Sequence, residues 1–559
     1  MDLIAILGII AAFLIIFIIM GYRNEKAAQQ KYIRDCEKKY GGGPQIKYDN
    51  TYFDRINKYH LKHKTENSID DITWSDLDMD NIFARINYCE SSTGQEYMYH
   101  VLRSPSTKDD FDTLESHISF LHANKDYRLK MQLAFHKIGN SSRYSIYDYL
   151  DYLEGLKPQS NLPQYMALGL MAFALIETII NFSFGFLFLL IMIIYNVITY
   201  FQIKGKIDPY VTTFSYVMRV INSAEVITGL DNDEFKTEIG NLKEAVSKLQ
   251  KFKKGSGILM SSSRMAGSGN PIDIIMDYIR ILTHIDLIKF NKMFAEVNAN
   301  KQSIDDIVTI MGQLETYVSI TCFRASIEGN YCIPEFDNNG GFDSKDMYHL
   351  LIENPVSNSV STKRGILLTG SNASGKSTFL KTVAITALLA QTVHTCTAKA
   401  YKAPLYSIYS SMALRDDLSG GDSYYIVETK SLKRIIDAAK ESKTKILCFV
   451  DEVLRGTNTI ERIAASTQIL KYFDGINVQC FAATHDIELT TLLDDCYDIY
   501  HFEGLVENND VHFDYKLHNG PAVNRNAIKL LGLLGYEQKI VNDAEAMAKN
   551  FEKNGIWTK

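Results

Sequence analysis

The chain has 559 residues, 46% of them apolar and 22% charged, so it is long enough for about two to four domains and excludes both wholesale disorder and a small stapled scaffold. A formal net charge of -7 excludes an overall basic nucleic-acid sponge but leaves room for a local basic face. The eight cysteines are scattered with no C-x-x-C pair, which argues against a zinc site or a disulfide framework and for reduced thiols in a cytosolic compartment.

Residues 3 to 20, LIAILGIIAAFLIIFIIM, are apolar or small without interruption, about the minimum that crosses a bilayer as a helix. Asp2 precedes them, and Arg23, Lys26, Lys31, Arg34, Lys38 and Lys39 follow. The positive-inside bias then predicts an outside amino terminus and an inside remainder, and this charge order is the reverse of a secretory signal. After a linker, helices are predicted from Asp70 to Arg103: Met79, Ile82, Phe83 and Ile86 share one face, Tyr97, Met98, Val101 and Leu102 another, and Ser104-Pro105 ends the run. Residues 110 to 155 continue in the same manner.

Residues 165 to 203 are apolar again and are interrupted at Asn181-Phe-Ser-Phe-Gly185, which fits two short spans joined by a turn. Lys204 and Lys206 follow, favouring an inside end. A buried helical hairpin within a soluble domain is the alternative, with Glu177 in its first arm. Helical periodicity returns over 211 to 253 and 272 to 318, around a Gly/Ser-rich loop at 255 to 271. Beyond residue 340 short apolar strands alternate with helices (GILLT, KILCFV, VQCFAAT, YDIYHF, VHFDYKL), the pattern of an α/β sheet covered by helices. The last thirty residues read as helical.

The strand GILLT runs into GSNASGKST, a G-x-x-x-x-G-K-[ST] phosphate loop. Gly370 and Gly375 allow a backbone cradle over Gly370, Ser371, Asn372, Ala373, Ser374 and Gly375, Lys376 adds a point charge near the β and γ phosphates, Ser377 offers a hydroxyl to Mg²⁺, and Thr378 continues into the helix. KILCFVDE supplies an apolar strand ending in carboxylates, with Asp451 for the magnesium shell and Glu452 to orient or deprotonate an attacking water. A third strand ends in ATHD, whose His485 can reach a γ-phosphate. ATP and Mg²⁺ are the expected cofactors, Glu452 and His485 the catalytic pair, and Ser377 and Asp451 the metal ligands.

Between these elements, LSGGD (residues 418 to 422) resembles the signature of ABC-type ATPases, in which a loop of one subunit closes over the γ-phosphate held by the other. The resemblance implies a homodimer with composite sites in which Gly421 and Ser423 act in trans. The surrounding motifs resemble the MutS family of mismatch-repair ATPases. The phosphate loop keeps the family's Asn at Asn372, with Ser371 and Ala373-Ser374 where the family usually has Pro and Met-Gly. DDLSGGDSYYIVE is similar to D-D-L-x-x-G-x-S-T-F-x-V-E at Asp416, Asp417, Leu418, Gly421, Ser423, Val427 and Glu428. DEVLRGTNT matches D-E-x-x-R-G-T-S-T at Asp451, Glu452, Arg455, Gly456, Thr457 and Thr459. ATHDIEL is similar to A-T-H-Y-x-E-L, and YKLHNGPAVNRNAIKLLGLLG to the segment that leads into the family's helical dimerisation tail.

That resemblance implies a helical core followed by an α/β P-loop ATPase domain, and the apolar stretch at 165 to 203 adds a transmembrane hairpin inserted in the core. The expected divisions are a transmembrane helix at 1–22, a linker at 23–50, helical core at 51–160, the hairpin at 161–206, the second part of the core, lever-like, at 207–335, and the ATPase domain with its dimerisation tail at 336–559. About thirty residues separate the first helix from the core, so no mismatch-reading domain is expected, and the hairpin stands where the family's DNA-clamping arms would insert. The expected function is a membrane-anchored ATPase, its domains on the cytoplasmic side, that switches a helical platform for DNA by family resemblance, or for a protein partner. An ABC-type transporter-like ATPase and a MutS-derived scaffold are the alternatives; three spans per chain and R-G-T where transporters usually show S-x-L-D speak against the first, and the presence of Lys376 and Glu452 against an idle site.

Overall fold

The computed structural model describes the chain except residues 1–2, 45–47, 49–50, 142–143, 155–159, 255, 257–270, 372–373, 413–423, 508–509, 523–527, 529–530, 533–534, 556 and 558–559. The signature loop and most of the Gly/Ser-rich loop therefore lie outside the described residues.

The amino-terminal helix runs unbroken from Leu3 to Lys39, so the expected linker is helical for much of its length. Its second half docks on the helical core: Lys125 pairs with Glu37 at 2.8 Å, and the Arg128 guanidinium sits 3.9 Å from the centre of the Tyr40 ring. The core helices follow their apolar spacing. Met79–Ile86 buries Met79, Ile82, Phe83 and Ile86 on one face. Ser92–Arg103 starts on Ser91, whose side chain accepts from the Gly94 amide, and ends at Ser104. Lys301–Ser326 crosses it so closely at Gly312 that a Cβ there would lie 2.5 Å from the Tyr97 Cβ.

The apolar stretch forms a helical hairpin, Leu162–Ile180 and Phe182–Thr228, turning at Asn181. Both arms are long and apolar enough to cross a membrane by length and composition, and only 22% and 17% of their apolar windows are buried. Ile179, Ile180, Phe182, Leu187, Ile191 and Ile198 are all exposed, Ile179 to 87%. Most of the apolar surface of both arms is thus left uncovered by the described residues. The second arm does not end at the expected boundary but continues as one helix into the platform, where Phe214, Val217 and Ile221 are buried.

Two sheets make up the carboxyl-terminal half. The smaller has order β1-β5-β2-β3, from Glu335–Phe336, Ala400–Ala403, Phe342–Met347 and Asn358–Thr362. The larger has order β10-β9-β4-β8-β7-β6, from Asp510–Asn519, Tyr497–Glu507, Gly365–Gly370, Val478–Ala483, Lys445–Asp451 and Tyr406–Ser411. β9, β4, β8, β7 and β6 are mutually parallel and β10 is antiparallel to β9. The central strands are buried on both faces, which is why they read as continuous apolar runs. β1 to β3, β5 and β6 were not among the expected strands; β1 has two residues, and β3 and β6 mix serine and threonine with apolar residues, so they lack that signal.

One apolar cluster joins Ile82, Phe83 and Phe323 of the helical core to Leu380, Ala384 and Phe449 of the carboxyl-terminal half. Polar ties fix the joint. Arg324 forks onto Glu115 at 2.8 and 2.6 Å and also donates to Thr395 Oγ1 and the His394 carbonyl. Asp76 accepts from Ser410 Oγ and the Met412 amide at the end of β6, and Arg434 donates to Asp70.

Candidate functional site

Register explains why motifs more than a hundred residues apart meet. Leu368 of β4 lies opposite Ala483 of β8, and Ala483 opposite Asp451 of β7. The three strands end level, and the segment after each one leaves by the same carboxyl edge, where open parallel sheets bind ligands.

Gly370 ends β4 at φ 140°, and a Cβ there would come within 2.7 Å of the Phe502 carbonyl oxygen. Gly375, at φ 109°, turns the chain into the helix Lys376–Thr392, whose first amides then face the loop. Lys376 is only 6% exposed and donates to the carbonyls of Gly370 and Ser371, both at 2.8 Å. Burial lowers its pKa, against the pull of Asp451 and Glu452. The hydroxyls of Ser371 and Ser374 are buried and meet no hydrogen-bond partner among the described residues. Asn372 and Ala373 lie outside them, as do Gly421 and Ser423.

Across the edge, Ser377 Oγ donates to Asp451 Oδ2 at 2.5 Å. Burial raises the Asp451 carboxyl against that hydrogen bond. Glu452 is held from two sides, Oε1 2.9 Å from His485 Nε2 and Oε2 2.8 Å from Arg455 Nε. The His485 hydrogen bond, reinforced by the charges of His485, Arg455 and Lys376, keeps its carboxyl below the usual value despite burial. It is therefore a carboxylate at neutral pH, able to accept a hydrogen bond from water. Arg462 forks onto Asp486 at 2.8 and 2.6 Å, pinning the residue after His485 to the helix Thr459–Gly475.

The backbone here is strained. Glu452 and Leu454 adopt φ of 62° and 57°, left-handed conformations that cost a non-glycine residue on the order of 1–3 kcal/mol each. Two braces hold them: the Glu452 amide donates to the Ala483 carbonyl at 2.9 Å, and Glu428 Oε1 accepts from the amides of Leu454 and Arg455 at 2.5 and 3.3 Å. Glu428 is 3% exposed, burial pushes its carboxyl up to about 7, and its Oε2 has no partner among the described residues. In the sequence Glu428 is only a motif match. Its position beneath the loop requires the helix Tyr424–Glu441 to pack where it does.

A cavity of about 360 Å³ adjoins the phosphate loop, lined by His349, Pro355, Gly375, Phe379, Phe502 and Tyr515. No sequence motif marked it, because its walls come from four separate segments. Its apolar, partly aromatic lining suits a planar heterocycle beside the phosphate cradle. The residues present thus fit a magnesium nucleotide: a glycine-framed turn into a helix N-terminus, buried serine hydroxyls awaiting partners, a hard-oxygen pair at Ser377 and Asp451, and a base-sized recess.

Residues 366–552 match the family model for MutS domain V. The chain is 29% identical over 272 residues to the DNA mismatch repair protein MutS of Pseudothermotoga lettingae, covering 46% of this chain and 32% of that protein. It is 28% identical over 280 residues to the DNA mismatch repair protein MSH3 of Yarrowia lipolytica, covering 48% and 28%, and 32% identical over 190 residues to DNA mismatch repair protein MutS 2 of Haloarcula marismortui, covering 33% and 20%. The match spans about a third or less of the length of these relatives. The carboxyl-terminal region of the chain is thus similar to domain V of MutS and to part of the MutS and MSH proteins.

Proposed function

We propose that the protein is a membrane-anchored MutS-like ATPase that binds and hydrolyses ATP as a homodimer and uses the cycle to switch its helical platform. The observation that carries this reading is the convergence of Lys376, Ser377, Asp451, Glu452 and His485 on one sheet edge. In the proposed mechanism Lys376 leaves its own loop carbonyls for the β and γ phosphates, and the amides at the head of its helix take the remaining phosphate charge. Ser377 and Asp451 would hold Mg²⁺, which when bound would neutralise charge on the phosphates. Glu452, kept anionic and aimed by His485 and Arg455, orients and deprotonates the attacking water. Gly421 and Ser423 of the other subunit close the site.

The route to the platform runs through the contacts at the joint. β6 leads into the signature segment at Met412, and Asp76 grips Ser410 and Met412 while Asp70 takes Arg434 of the helix beyond that segment. A shift of β6 and the helix Tyr424–Glu441 on nucleotide binding is passed to the helical core, and along the continuous helix Phe182–Thr228 to the hairpin. The exposed apolar faces of the hairpin support membrane insertion, with the helical and ATPase domains on the cytoplasmic side. DNA is the proposed ligand of the platform, since the relatives are described as DNA mismatch repair proteins; mismatch reading itself is not proposed.

The test is turnover and assembly of the full chain carrying Glu452→Ala. Hydrolysis is expected to fall by roughly 10²–10⁴-fold with nucleotide binding retained and dimers accumulating in ATP. Undiminished turnover, or monomers throughout, ends the proposal. Retention of duplex DNA by the trapped form, weakening steeply with salt, identifies the ligand, and its absence at low salt removes DNA.

A further inference from the structure

The base of the hairpin, away from its tip at Asn181, is built from segments far apart in sequence. Asn161, at the foot of the first arm, is bonded to Asn291 Nδ2 at 2.8 Å, and Tyr200 and Lys204 of the second arm both reach the buried Asp286, at 3.0 and 3.1 Å. The helix Ile285–Ala299 therefore crosses the foot of both arms. It brings lysines with it. Lys292 lies 5.9 Å from the ring centre of Tyr165, and Lys289 Nζ donates to the Lys254 carbonyl, drawing that segment alongside. Lys206, Lys254 and Lys292 are exposed and Lys289 is half-buried.

Within this collar of lysines, Lys289 faces mainly like charge among the described residues. Burial lowers the Lys289 pKa, and the like charges of Lys292 and Lys254 lower it further, with only Glu296 opposing. Asp286 is already engaged by Lys204 and Tyr200. Each arm, 19 and 26 residues over its apolar window, is about 30–40 Å long at 1.5 Å per residue, so a hairpin buried to its tip sets the collar at headgroup level. The exposed Tyr165 stands at the same level, where amphipathic aromatic rings favour the interface.

We propose that Lys254, Lys289 and Lys292 form a binding surface for the phosphate headgroups of anionic phospholipids in the leaflet that the hairpin enters. This rests on the hairpin being a membrane anchor. The apolar arms supply insertion, while the collar selects headgroup charge and fixes how the platform stands over the surface. No sequence position marks these lysines as flanking an apolar segment; the fold brings them to the hairpin foot.

The experiment uses the full chain and the triple variant Lys254→Gln/Lys289→Gln/Lys292→Gln, with the matching triple Arg variant. Each is expressed in membranes, its hairpin segment 162–207 tested for labelling by a lipid-soluble photoreactive probe, a readout that the apolar helix at the amino terminus does not satisfy, then reconstituted in nanodiscs of phosphatidylcholine with a minor fraction of phosphatidylglycerol. The expected result is hairpin labelling in all three, with phosphatidylglycerol enriched around the parent and the Arg variant and that enrichment lost roughly tenfold or more in the Gln variant. Hairpin labelling without phosphatidylglycerol enrichment in the parent overturns the collar and leaves the anchor standing. An unlabelled hairpin overturns the membrane reading of the hairpin and the collar with it. Loss of duplex DNA binding in the Gln variant, with lipid enrichment unchanged, overturns the lipid proposal and assigns the lysines to DNA.

Discussion

Two buried carboxylates show how differently the two halves of this molecule use the same chemistry. Glu315 in the helical core and Glu428 beneath the loop after β7 are both raised to about 7 by burial, and both accept two backbone amides. Glu315 is saturated: Oε1 takes the amides of Glu90 and Ser91 at 2.6 and 3.0 Å, and Oε2 takes the Ser91 hydroxyl. It ties the helix Lys301–Ser326 to the turn that starts Ser92–Arg103, at a contact so tight that a Cβ on Gly94 would collide with it. Glu428 leaves one oxygen without a partner among the described residues and braces a loop with two left-handed residues. A fully satisfied buried network rigidifies, whereas a partly satisfied one over a strained loop is poised to rearrange. The core stores stability and the sheet edge stores strain.

The largest effect expected on either side is at the phosphate loop. Lys376→Ala should abolish nucleotide-dependent thermal stabilisation and cut turnover by roughly 10²–10³-fold, and retained stabilisation by ATP would remove Lys376 from the phosphate site. Next is the core carboxylate. Glu315→Ala leaves three buried donors unsatisfied, and the melting transition should record a loss of about 2–4 kcal/mol while the KM for ATP of the folded fraction stays put. A change in KM with unchanged stability would invert the contrast between the two regions.

The joint between them is comparable in size but set by pH. Arg324 and His394 outweigh burial and hold the Glu115 carboxyl down at about 2, below the value near 4.5 of the unfolded chain. A depressed folded pKa contributes stability that is present above about 4.5 and lost as pH falls toward 2, on the order of 3 kcal/mol in all. Glu115→Gln should remove that acid dependence, checked by denaturant melts between pH 2 and 6; an unaltered acid limb would discount the tie. The smallest effect is at Glu428. Its raised pKa means that stability is lost as pH rises from about 4.5 through about 7, with the loop brace changing charge near neutrality. Glu428→Gln should flatten that limb of the kcat profile and change kcat at its optimum by only a few-fold, whereas an unchanged profile would show that its titration does not reach the loop.

Much of this molecule was readable before its fold. Phosphate loops are legible because backbone geometry demands glycine at fixed offsets, and Gly370 and Gly375 do occupy left-handed positions around the turn. β4, β7 and β8 were legible because strands buried on both faces are continuously apolar. The hairpin was legible from its length and from Lys204 and Lys206, which mark where the apolar window closes near Ile207, but the continuation of the same helix to Thr228 was not, because there it exchanges an exposed apolar face for a buried one. The second sheet escaped notice, since short strands with serine and threonine carry no clear alternation.

What the sequence alone determined is local chemistry: which residues offer charge, hydroxyl or carboxylate, which segments are apolar enough to leave water, and where the backbone must turn. What only the tertiary structure decided is company: the level strand ends that bring Asp451 and His485 to Lys376, the brace of Glu428 on the loop at Leu454, the recess between His349 and Tyr515, and the lysines gathered at the hairpin foot. The physical reason is that periodicity and composition act within a few residues of chain, whereas register and helix packing set distances between segments hundreds of residues apart.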